Sequence, residues 1–239
     1  MRVVVLSGQP GARREADTEQ PVTMGPMGGS DQPQRSSRLR DAFGAKRAKQ
    51  QAHADDLRQA SAGVVNAARK SGAQHAVKDL QAELGDDWML VRGYQNSSGR
   101  IGQLLLGTHG VVALTSLSLD ATVRCHGDKW RAERVDKNGQ SLGEINLDDE
   151  NGRSPSAQLN HAADELQRFL RSSGFEATVL RAVLLNHFRS RVEGGHRATV
   201  QIFTSHYELG DWLRKLPKVL DRGQRRKLEE LLTGSRTDR

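Results

Sequence analysis

From Ile101 to Leu117 the chain reads Ile-Gly-Gln-Leu-Leu-Leu-Gly, then Thr-His, then Gly-Val-Val-Ala-Leu-Thr-Ser-Leu. Two apolar runs of strand length on either side of Gly107-Thr-His-Gly110 have few polar residues to offer water, so they predict a hairpin of buried strands. Gly110 fits a turn position that needs positive φ. A buried hairpin needs covering layers, and the flanking sequence supplies helical patterns before and after it.

Before the hairpin, Ala76, Val77, Leu80 and Leu84 share one face of a helix expected over 73–84, which Gly72 should open and Gly85 close. Strands are expected at 88–92, 101–106, 111–117, 122–125, 130–134 and 144–147, with turns at Asn96-Ser-Ser-Gly99 and Lys137-Asn-Gly139. Leu159, Ala162, Ala163, Leu166, Phe169 and Leu170 repeat at i, i+3, i+4 and i+7, which predicts a long helix with Pro155 near its start. Two further strands, 178–185 and 198–203, precede helices at 209–216 and 224–232, the last opened by the capping-box pair Asp221 and Gln224. The expected fold class is α/β: a mixed central β-sheet flanked by helices.

The 239 residues divide into four expected segments: a disordered tail (1–34), a basic helical arm (35–70), the α/β domain (71–233) and a flexible end (234–239). The tail mixes Gly, Pro, Gln, Ser and charge without apolar periodicity, and so cannot bury enough surface to order itself. Met24 and Met27 leave the start of translation open. Val3–Leu6 followed by Gly-Gln-Pro-Gly suggests a strand and phosphate loop, but no Gly-Lys-Ser/Thr follows and the Walker reading fails.

Charge is unevenly spread. Residues 35–70 carry nine lysines and arginines against three acidic residues, whereas 71–239 carry 24 against 22. Arg35, Arg38, Arg40, Lys46, Arg47 and Lys49 therefore stand out as candidate phosphate contacts for DNA. Aromatic residues are only 4% of the chain, which argues against recognition of single strands by stacking. The lone Cys125 excludes an intramolecular disulfide and a Cys-rich zinc site. Neither a signal peptide nor a membrane span is readable, so a cytoplasmic protein without membrane contact is expected.

The hairpin, Gly127, Trp130, and Ser154-Pro155-Ser156-Ala157-Gln158 at the head of a helix together resemble, in their order, the nuclease-related domain (NERD) of the PD-(D/E)XK, restriction-endonuclease-like group. The resemblance runs from about Gly72 to Leu232. It implies a restriction-endonuclease-like sheet and, in active members, a metal-dependent nuclease whose Asp, Glu and Lys occupy the positions of Gly102, Thr115 and Leu117 in this chain. Pro155 and Gln158 match the family's Pro-x-x-Gln, with Ser154 where Asn is usual, and Gln74 or His75 stands where an upstream acidic residue is expected.

Gly102, Thr115 and Leu117 offer no hard oxygen ligand set for Mg²⁺ and no cation to activate water. These vestigial positions, with Gln158, imply a domain that has lost catalysis, holds no cofactor, and binds DNA or a protein partner. Two alternatives stand beside it: a Mg²⁺-dependent nuclease with carboxylates relocated to Asp120 or Glu144, and a protein-interaction scaffold without nucleic acid. Asp148-Asp149-Glu150 reads as a solubilising loop. His109 reads as an exposed turn residue, and His161 and His187 lack companions at metal-ligand spacing.

Overall fold

The computed structural model describes residues 1–6, 35–136, 138 and 140–234, with backbone alone for 35–50, 53–58 and 135. The chain divides into two compact units, Met1–Gly8 with Arg58–Arg239, and Gln9–Leu57. Every strand of the described residues belongs to the first. The tail beyond Leu6, the end beyond Gly234, and two residues of the 137–139 turn lie outside the described residues.

The first unit is mixed α/β, as its patterns predict. A six-stranded sheet has the order β1 (Arg2–Val5), β2 (Trp88–Asn96), β3 (Gly99–Gly107), β4 (Gly110–Leu117), β8 (Val179–Leu185) and β10 (Gln201–Phe203). Strands β3 and β4 form the expected hairpin, β2 extends it to an antiparallel meander, and β8 returns parallel to β4 after helix α2 (Pro155–Ser172). Gly110 takes φ +105°, the left-handed geometry that the tight turn requires.

One face of this sheet carries Leu90, Leu105, Val112 and Leu114, packed with Ala76 and Leu80 of helix α1 (Arg35–Glu83) and with Leu209 and Leu213 of α3 (His206–Lys215). The other face carries Leu104, Leu106, Val111 and Ala113 against Leu159, Ala163, Leu166 and Leu170 of α2 and Leu228 of α4 (Arg222–Thr233). Both faces are apolar because both are covered, which is why the hairpin strands read as continuous rather than alternating runs.

Several expectations need correction. The strands between 122 and 146 do not join the main sheet; β5 (Thr122–His126), β6 (Lys129–Val135), β7 (Ser141–Asn146) and β9 (Arg191–Glu193) make a second sheet in the order β7-β6-β5-β9. Trp130 is buried, and it anchors this second sheet. Residues 2–5, expected within a non-packing tail, pair as β1 in parallel with β2, while Val3 and Val4 pack on opposite faces of the sheet. A strand this short has too few positions to show a period, so the apolar run at Val3–Leu6 suggests a strand and the edge pairing places it in the sheet.

Gly72 does not break the helix. Helix α1 runs unbroken from Arg35 to Glu83, past the expected boundary at 70/71, and Val65 and Ala68 are already core residues. A Cβ at position 72 would sit 2.6 Å from Ser116 O, so the glycine is there to let the helix cross the end of β4 at backbone distance. The same crossing is tied by Ser118 N–H to Ala68 O (3.0 Å) and by Asn186 Nδ2 to Gly72 O (2.9 Å).

Candidate functional site

Strands β2 and β3 are in register on both sides of one gap. Arg92 pairs with Gln103 and Tyr94 with Ile101, which leaves Gly93 opposite Gly102. Where two facing residues both lack side chains, the sheet surface is hollow. Gly102 and Thr115 line the resulting cleft, together with Gln158 from the first turn of α2 and Gln74 from α1; its volume is about 660 Å³. Three of the four vestigial positions are thus gathered in one place.

The fourth is not. Leu117 is 1% exposed and sits in the core beside Val65, Ala68 and Ala121, so it belongs to the packing and not to the cleft. On the adjacent strand, Gln103 borders the cleft beside Gly102; its Oε1 accepts from Ser116 Oγ (2.7 Å) and its Nε2 donates to Ala73 O (3.2 Å), which fixes α1 against the strands. Gln158 both lines the cleft and braces the loop before α2, with Nε2 donating to Arg153 O at 2.8 Å.

What sequence reasoning missed is the charge of the cleft. Arg69 and Lys70 from α1, Arg92 from β2, Arg100 from β3 and Arg153 from the loop before α2 all line it, and none of its described lining residues is acidic. Asp149 lies beside it, 3.6 Å from Arg153 Nε, and holds the loop in shape by accepting from Asn151 N (2.9 Å) and Arg153 N (2.8 Å). The acidic run 148–150 is therefore a built turn, and not a merely solubilising stretch. Burial pulls the Arg69 guanidinium below the ordinary arginine range, Asp149 pushes it back up, and the like charge of Arg153 lowers it further.

No single signal along the chain marks these five residues. They come from four separated segments, and only the crossing of α1 at Gly72 and the hollow at Gly93 and Gly102 bring them together. Arg69 and Lys70, which charge counting along the chain assigns to the arm, belong to the domain.

No family model matches this chain, and no curated protein or solved structure is significantly similar to it.

The remaining candidates lie elsewhere. Asp120 is 3.4 Å from Arg189 and 3.9 Å from His187, on the β4–β5 connection. Glu144 on β7 pairs with Arg131 (2.9 Å) and Arg124 (3.4 Å) on the exposed face of the second sheet. Neither lines the cleft. Among the described residues, no three His, Cys, Asp or Glu side chains are grouped to hold a metal ion. His161 is exposed on α2. His109 is not the exposed turn residue expected: its ring stacks on Trp88 at 5.5 Å and its Nδ1 is 2.6 Å from Leu216 O, tying the hairpin turn to the end of α3.

A larger cavity of about 990 Å³ lies between the loop at 173–178 and the α3–α4 connection. Its charged lining is Glu176 against Lys227, which gives no net preference for a charged ligand. The smaller cleft is the more selective one, because five like charges around one hollow repel each other until an anion enters.

The side chains of Arg35, Arg38, Arg40, Lys46, Arg47 and Lys49 lie outside the described residues; their backbone is helical within α1. Among the described residues no helix is long and apolar enough to cross a membrane.

Proposed function

We propose that this chain is a nuclease-related, non-hydrolytic nucleic-acid-binding module that takes phosphate in the cleft between α1, β3 and the start of α2. The observation that carries the reading is the set of five cations lining the cleft that also holds Gly102 and Thr115, two of the three positions where the resemblance implies catalytic residues. An active metal nuclease presents carboxylates that hold a cation, and the cation meets the phosphate. Here arginine and lysine meet it directly. That arrangement binds the anion but supplies neither a water-activating metal ligand set nor a general base.

The resemblance to NERD rests on the order of the 101–117 hairpin, Gly127, Trp130 and Ser154–Gln158, and the reading is compatible with a hairpin of β3 and β4 followed, after β5 to β7, by α2 and the parallel strand β8. The relocated-carboxylate alternative loses its support, because Asp120 and Glu144 are engaged in ion pairs away from the cleft. On this reading the partner is DNA, with the basic residues of 35–49 adding sequence-independent contacts.

The test is duplex DNA binding by fluorescence anisotropy across a salt series, for the full chain and for Arg92→Gln/Arg100→Gln. Wild type is expected to weaken steeply with salt, and the variant to bind more weakly with a slope reduced by about 0.9 for each phosphate it no longer neutralises. Binding that ignores salt in both proteins would replace this reading with a protein-interaction scaffold. DNA cleavage with Mg²⁺ or Mn²⁺ that Asp120→Ala or Glu144→Ala abolishes would restore the nuclease.

A further inference from the structure

Two of the five cations carry a buried, unpaired N–H. Arg69 Nε and Arg153 Nε are both buried, and neither has a hydrogen-bond partner. The carboxylate of Asp149 stands 3.6 Å from Arg153 Nε, an ion-pair distance and too long for a hydrogen bond. A buried N–H without an acceptor costs free energy. In a guanidinium, Nε and the neighbouring Nη form the edge that takes two oxygens of one phosphate. The cleft is thus short of acceptor oxygens where its positive charge is deepest.

Size restricts what can bring them. A hollow of about 660 Å³ has the dimensions of a small-molecule site. A DNA duplex, whose major groove alone is about 12 Å wide, cannot enter it. An internal phosphate of a duplex can meet the exposed side chains of Lys70 and Arg100 but not the buried Nε atoms behind them. A phosphate on a free nucleotide or at a strand end has no chain continuing beyond it and can reach that depth. It also carries close to two negative charges at neutral pH, against one for a phosphodiester, a better match to five cations.

We propose that the cleft is a receptor for a phosphomonoester dianion, carried by a nucleotide or by the terminal nucleotide of a nucleic-acid strand, with Arg69 and Arg153 holding the terminal oxygens. This rests on the reading of the cleft as a nucleic-acid phosphate site and narrows it from the backbone to the end. The charged groups facing the phosphate are Arg69 and Lys70 from α1, Arg92 from β2, Arg100 from β3, and Arg153 with Asp149 from the loop before α2. None is a histidine, so a change of affinity near pH 6 would come from the second ionisation of the ligand itself, at about 6.

The experiment uses the full chain and a short single strand labelled at its 3′ end, carrying either a 5′-phosphate or a 5′-hydroxyl, with adenosine monophosphate, adenosine and inorganic phosphate as competitors. The 5′-phosphate is expected to tighten binding by about tenfold or more. That gain should fall between about pH 7.5 and about pH 5.5, and the monophosphate should compete where adenosine does not. Arg69→Gln should erase the gain, and Arg100→Gln, at the exposed rim where folding is not at stake, should reduce it. Equal affinity for both strand ends at every pH overturns the phosphomonoester assignment and leaves DNA binding standing. Binding of the monophosphate but of neither strand supports the assignment and overturns the nucleic-acid reading. No binding of any probe overturns both.

Discussion

A Cβ added at Gly102 meets Leu114 O at 3.5 Å, an ordinary contact, so Gly102→Asp is expected to fold. Leu117→Lys is not equivalent, although the resemblance implies both positions in one active site. Leu117 is 1% exposed among apolar side chains, and a buried ammonium there forfeits the leucine's packing and leaves a charge without a partner. We expect a loss of about 3–5 kcal/mol in urea denaturation. Gly102→Asp with Thr115→Glu, both in the cleft, is therefore the pair to test for restored Mn²⁺ affinity by calorimetry; no binding by the folded double variant would break the alignment to the nuclease motif. Cys125 lies in the core of the second sheet and its thiol is pushed up to about 12 by burial. It is expected to resist thiol reagents at neutral pH until the protein unfolds, so rapid labelling of the native chain would contradict this packing.

At the scale of elements, Gly72 separates two opposed effects. Alanine favours a helix over glycine by about 1 kcal/mol. At this crossing its Cβ would lie 2.6 Å from Ser116 O, and backbone must move. We expect Gly72→Ala to destabilise by about 1–2 kcal/mol net, measured by thermal melting. The turn between β2 and β3, which supplies Ser98 to the cleft and leads into Gly99 and Arg100 of β3, is held by Glu165 of α2, whose carboxylate accepts from Ser97 Oγ (2.6 Å) and Ser98 N (2.6 Å). These bonds hold the Glu165 carboxyl below the usual range. A depressed carboxyl stabilises fully above its unfolded pKa of about 4.3 and loses that contribution as pH falls through the lower folded value. The protection of the Ser97 and Ser98 amides, relative to their unstructured exchange rates at the same pH, should therefore fall selectively in acid, and Glu165→Gln should lower it at neutral pH. The hairpin of β3 and β4 was legible because two apolar runs around a glycine turn have few other ways to be buried. The continuous α1 was not, since glycine in a helix is ordinarily a cost and only the close approach of β4 explains it.

For the whole molecule the basic cleft was illegible, because Arg69, Arg92, Arg100 and Arg153 have no spacing in common and meet through topology alone. The arm was legible as charge but misplaced at its end. Removing residues 1–70 would take Val65, Ala68 and β1 out of the first unit, so the arm is better tested by neutralising Arg35, Arg38, Arg40, Lys46, Arg47 and Lys49 to Gln. The logarithmic salt slope for duplex DNA should flatten by about 0.9 per phosphate left unneutralised, equally for unrelated sequences. An unchanged slope would confine DNA binding to the first unit. Strand β1 has a further consequence, one of folding order. Its pairing of Arg2 with Met89 closes a very long loop for only four rungs at the edge of the sheet, whereas β2, β3 and β4 are joined by short turns. Loop closure of that length has to be offset before the rungs contribute, so the meander forms first and β1 docks late. The last strand to arrive is the first to fray, and it leads into Val5 and Leu6, which line the cleft. Native-state exchange should find the amides of β1 opening well below the global unfolding free energy, so that the cleft is walled on one side by the least durable edge of an otherwise buried sheet.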